Sequence, residues 1–111
     1  MAEVVVFHHA LGLTDPVRRF AAALRDAGHT VHTPDLFDGR TFDTIEDGMA
    51  HAEEIGFPLA VVDRARAEVA SLPSDLVYVG FSLGVLSAQS LAQTRPGARG
   101  AVLCYSALPL G

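Results

Sequence analysis

One stretch constrains the fold more than any other. An apolar run, Leu76-Val77-Tyr78-Val79, passes through Gly80-Phe81-Ser82-Leu83-Gly84 directly into a helical pattern. Glycines two residues before and two residues after the serine let a strand turn at once into a helix, with the two backbones passing close together. A strand as apolar as this one is buried on both faces, which is the pattern of a parallel sheet covered by helices. The uncharged length from Leu76 to Thr94 would be enough to span a bilayer. Gly80, Ser82, Gly84, Ser87, Gln89, Ser90 and Gln93 interrupt it, however, so it reads as a buried strand and helix, with no membrane partner.

The rest of the chain repeats the same alternation. Glu3 to His8 is a β-branched and aromatic strand. Asp15 is placed to cap a helix with Pro16 at its first position, Val17, Phe20, Ala21 and Leu24 share one face, and Gly28 closes it. His29 to Thr33 is a short strand that leaves through the turn Pro34-Asp35-Leu36-Phe37-Asp38-Gly39. Asp43 and Glu46 form a capping-box pattern ahead of a stripe of Ile45, Met49, Ala52 and Ile55, which Gly56-Phe57-Pro58 breaks. A further helix from about Leu59 turns Val62, Ala65 and Val69 to a core, and Pro73-Ser74-Asp75 stops it. After the Leu83 to Thr94 helix, Ala101 to Tyr105 is a fourth strand. This order predicts an α/β fold: a three-layer αβα sandwich with a mostly parallel sheet, in a single domain over residues 1–111.

Composition narrows the function. Half of the 111 residues are apolar and 19% are charged, as in a chain that folds around a core. Thirteen acidic against eight basic residues give a net charge of -5, with the arginines spread over the helices, so no nucleic-acid partner is expected. Met1-Ala2-Glu3 lacks the basic region of a secretory signal, and a cytoplasmic location is expected. The lone Cys104 reads as a small buried hydrophobe. No metal-ligand spacing and no cofactor motif stands out.

Ser82 carries the chemistry. A serine hydroxyl is a weak nucleophile, so it must sit beside a base and beside donors that meet the developing oxyanion. At the tip of a strand-to-helix turn, the backbone N–H of Leu83 supplies one donor. The second belongs to the loop after the first strand, His8-His9-Ala10-Leu11-Gly12, with Ala10 the candidate and His9 its substitute. Ligands of open α/β sheets collect at the carboxyl ends of the strands. That rule places this loop, with His9, at one rim together with Asp35, Ser82, Tyr105 and Ser106.

On these residues the chain resembles the dienelactone hydrolase family. The resemblance runs through Val4 to Gly12, through Gly28 to Gly39 with its Pro34-Asp35-Leu36 turn, and through Gly80 to Gly84. It implies the N-terminal part of an α/β-hydrolase domain, a partial α/β-hydrolase fold acting on a small ester or lactone through an acyl-serine intermediate. The family's nucleophile is often cysteine, and Ser82 stands at the matching position. Better-known members carry a glutamate in the oxyanion loop, where this chain has His9. The family's triad aspartate and histidine follow two strands that would come after Tyr105, so the resemblance implies a base and acid beyond residue 111 and a chain truncated from a longer hydrolase.

Other readings stay open. The elbow fixes acyl chemistry but not the acceptor, so a thioesterase or acyltransferase fits as well. A catalytically inactive fragment, or an interaction module pairing through an open sheet edge, is the reading outside enzymology. Adjacent side chains at a strand end point to opposite faces, so at most one of His8 and His9 faces a pocket, and loop packing or substrate contact is a simpler role for either than general base for Ser82. Asp35 reads as a turn residue first, and His29, His32 and His51 as structural or solvated. The substrate and the oligomeric state leave no mark on the sequence.

Overall fold

The computed structural model describes residues 2–104. The elements run β1 (Glu3–Phe7), α1 (Asp15–Asp26), β2 (Thr30–His32), α2 (Ile45–Ile55), α3 (Leu59–Val69), β3 (Leu76–Phe81), α4 (Gly84–Thr94) and β4 (Gly100–Cys104). The predicted burial of Cys104 and the rim positions of Tyr105 and Ser106 lie outside the side chains and residues described.

The strands form one sheet in the order β2-β1-β3-β4, and every pairing is parallel. Val5 pairs with Tyr78 and Phe7 with Gly80, so the loop leaving β1 and the turn leaving β3 emerge side by side. Alternation along β1 supplies two cores. Val4 and Val6 join Val17, Ala21, Val31, Val79 and Phe81 under α1. Val5 and Phe7 join Leu36, Phe37, Ala52, Val61, Ala65, Tyr78, Ala88 and Leu91 on the opposite face. Helices thus cover both faces, giving the expected three layers.

Local details depart from the sequence reading in several places, and Ile45 of the expected α2 stripe is exposed. Thr14, not Asp15, is the residue preceding the first turn of α1, and its side chain makes no cap bond. The cap of α2 is Thr44, whose Oγ1 accepts from the Asp47 amide at 3.1 Å, one residue on from the Asp43 and Glu46 pattern. In α3 the buried stripe is Val61, Ala65 and Val69, a strict four-residue spacing that leaves Val62 only half-buried.

Candidate active site

Ser82 sits between the last residue of β3 and the first turn of α4 with φ 51°, in the left-handed region that non-glycine residues seldom occupy. Its neighbours explain how the chain tolerates this. A Cβ on Gly80 would lie 2.6 Å from the Gly84 carbonyl carbon and 2.8 Å from Val85 Cα, so only glycine lets the strand pass under the helix. A Cβ on Gly84 would lie 2.5 Å from the Phe7 carbonyl oxygen and 2.6 Å from that of His8. The start of α4 is therefore pressed against the end of β1, which seats the turn beside the His8 to Gly12 loop.

Hydrogen bonds shape that loop. The His9 carbonyl accepts from His8 Nδ1 at 2.9 Å and from the Gly12 amide at 3.0 Å. His9 Nδ1 accepts from the Leu11 amide at 3.2 Å, and the Leu11 carbonyl accepts from the Phe42 amide at 2.9 Å. The Ala10 and Leu83 amides donate to no partner among the described residues, although both residues are buried. The two amides lie in the loop leaving β1 and in the turn leaving β3, whose strands are neighbours.

His8 is fully buried and has both ring nitrogens committed to backbone. A carbonyl only accepts, so the Nδ1 facing the His9 carbonyl carries the proton; Nε2 in turn accepts from the Leu36 amide at 2.9 Å. Its ring also packs edge-on to Phe37 at 4.8 Å. Burial pushes the pKa of His8 below the ordinary value, outweighing the hydrogen bond to His9 and the Asp35 carboxylate 4.0 Å away. His9 is shifted down as well, again through burial. With neither nitrogen of His8 free, it has no site from which to take a proton from Ser82.

The Asp35 carboxylate turns back on its own loop, where Oδ1 accepts from the Phe37 amide at 2.9 Å and Oδ2 from the Gly39 amide at 3.0 Å. It builds the turn that plugs Leu36 and Phe37 into the core. The sequence reading overlooked Gly48 of α2, which packs directly on the Ala10 carbonyl, with an added Cβ 2.7 Å from the carbonyl carbon. Its only sequence signal is a glycine inside a helical pattern, which often marks a close packing contact. Among the described residues, no three of His, Cys, Asp and Glu gather in a metal-holding group. Among the described residues, no helix is long and apolar enough to cross a membrane.

A parallel sheet with helices on both faces and a left-handed serine at a glycine-flanked strand-to-helix turn is the arrangement of an α/β-hydrolase-like fold. The chain belongs to the dienelactone hydrolase family, which it matches over residues 1–110. A solved structure called m3DLH is 27% identical, with a TM-score of 0.73 over 97% of this chain and 50% of the other. A dienelactone hydrolase-like promiscuous phosphotriesterase, P91, from metagenomic libraries is 26% identical, with a TM-score of 0.77 over 100% of this chain and 50% of the other. The chain therefore spans about half the length of the solved structures it resembles. No curated protein matches it.

Proposed function

We propose that this chain supplies the nucleophile and the oxyanion hole of a serine hydrolase that acts on a small ester or lactone. The observation that carries this reading is Ser82, held at φ 51° between β3 and α4 beside the loop that leaves β1, with the Leu83 and Ala10 amides unengaged among the described residues. Ser82 Oγ attacks the carbonyl carbon of the substrate while a base takes its proton. The carbonyl oxygen becomes an oxyanion that accepts from the Leu83 and Ala10 N–H groups. Collapse breaks the bond to the alcohol oxygen, which leaves with a proton, and water then hydrolyses the acyl-Ser82 ester. The half of the related solved structures that this chain does not cover is the proposed source of the base and its aspartate partner.

His9 and Asp35, with Tyr105 and Ser106, are the proposed pocket residues at the same rim. Labelling of the full-length protein by a fluorophosphonate probe tests the reading. Modification of Ser82 is expected; no labelling, or equal labelling of Ser82→Ala, overturns it. Because one relative is named a promiscuous phosphotriesterase, turnover of a phosphotriester should be measured beside ester, lactone and thioester. Preference for the thioester would assign the alternative acyl chemistry.

A further inference from the structure

The loop after β1 contains the Ala10 amide, and the way the peptide that carries it is held assigns a task to a buried histidine. In a trans peptide the C=O and N–H point in opposite directions, so whatever grips the His9 carbonyl also sets the direction of the Ala10 N–H. Two donors grip it, His8 Nδ1–H at 2.9 Å and the Gly12 amide at 3.0 Å, which together use both lone pairs. The next peptide is held too: its Leu11 N–H goes to His9 Nδ1, and its Ala10 carbonyl lies against Gly48. The Gly12 N–H is spent on His9 and the Leu11 N–H on the His9 ring, whereas the Ala10 N–H has no partner among the described residues.

We propose that His8 is a positioning residue for the oxyanion hole: its Nδ1–H, through the His9 carbonyl, fixes the His9–Ala10 peptide plane and keeps the Ala10 N–H presented to the oxyanion. This rests on the assignment of Ala10 and Ser82 above. The Leu36 amide, donating to Nε2, selects the tautomer that makes this possible, because an imidazole that accepts at Nε2 and stays neutral must carry its proton on Nδ1. The clasp therefore runs from the Asp35-Leu36 turn through the ring to the oxyanion loop. His8 meets no substrate; it acts through a peptide bond.

Two variants of the full-length protein separate this role from a merely structural one. His8→Asn places an amide nitrogen where Nδ1 was and retains the donor, whereas His8→Leu removes it. Loss of one oxyanion donor typically lowers kcat by about 10²–10³-fold. A fall of about 10²-fold in kcat with KM within about threefold is expected for His8→Leu, and His8→Asn should recover at least about tenfold of that loss. A folded His8→Leu that keeps wild-type kcat, or a His8→Asn no better than His8→Leu, overturns the proposal. Wild-type protein gives an independent reading by nitrogen NMR of the imidazoles, in which His8 is expected as the neutral Nδ1–H tautomer; the Nε2–H tautomer overturns the clasp even if the variants do not fold. Failure of the underlying reading looks different, since wild type would then not be labelled at Ser82.

Discussion

Gly48 and Ala10 meet backbone to backbone: the first turn of α2 lies so close to the oxyanion-loop carbonyl that a side chain at residue 48 would occupy the space of the Ala10 oxygen. Replacing an interior helix glycine by alanine ordinarily stabilises by about 1 kcal/mol. Here the sign is expected to reverse, because the obstruction is backbone and cannot swing aside. Gly48→Ala should cost about 1–3 kcal/mol, the usual range for overpacking, as measured by urea denaturation. It should also lower kcat by about 10²-fold, since displacing the proposed oxyanion donor by about an ångström has an effect of that size. A stabilised Gly48→Ala with unchanged kcat would show that α2 moves freely relative to the loop.

Ser82 stores backbone strain. Its φ of 51° is costly for any residue with a Cβ, by about 1–2 kcal/mol. Ser82→Ala and Ser82→Gly both remove the hydroxyl, but only glycine relieves the strain. The glycine variant should therefore be the more stable of the two by about 1 kcal/mol, with both inactive. Equal melting temperatures for the pair would argue that the turn relaxes around alanine.

That Ser82 was legible at all follows from local chemistry. Glycine spacing, an apolar strand before it and a helix after it are all written within about twenty residues, and the packing of Gly80 on Gly84 is a short-range consequence. The sheet and its helices were legible for the same reason. What the sequence did not show depends on partners far along the chain. His8 bonds the Leu36 amide 28 residues away, and nothing near His8 signals that its two nitrogens are both taken. Leu36 and Phe37 sit inside a segment with turn composition, yet both are buried, because the Asp35 carboxylate folds the turn so that they point into the core. The helix caps were misplaced by one residue, at Thr14 and Thr44, since adjacent Thr and Asp are equally competent caps in sequence.

Acid should weaken the fold through His8 and His9. Burial holds the pKa of each below the ordinary 6.5, so between that value and the lower folded one the unfolded chain binds protons that the native chain does not. Stability therefore rises with pH through this window and falls on acidification below 6.5. The slope contributed by each histidine is at most about 1.4 kcal/mol per pH unit. Protonating His8 would also set a second donor against the Leu36 amide, so the oxyanion loop should loosen in the same range. Denaturation midpoints of wild type and His8→Asn between pH 5 and pH 7.5 test this. The variant should show the shallower dependence; parallel curves would place the acid sensitivity elsewhere.

The strongest stabilising role outside the site is predicted for Arg95. Its guanidinium donates to the Tyr78 hydroxyl at 3.2 Å, to the Pro73 carbonyl at 3.0 Å and to the Leu72 carbonyl at 2.7 Å, tying the end of α4 to the loop before β3. Tyr78 is fully buried on β3, the strand that leads into Ser82. Removing one partner of a buried hydrogen bond costs more than removing both, because the orphaned group has already lost its water. Tyr78→Phe should therefore cost about 1 kcal/mol, and Arg95→Ala, which orphans the buried hydroxyl but leaves the Pro73 carbonyl to water, about 1–2 kcal/mol. In the Tyr78→Phe background the cost of Arg95→Ala should shrink by about 1 kcal/mol, as expected for two groups in direct contact. Strict additivity in that double-mutant cycle would mean that the two carbonyls, not the tyrosine, account for the conformation of Arg95.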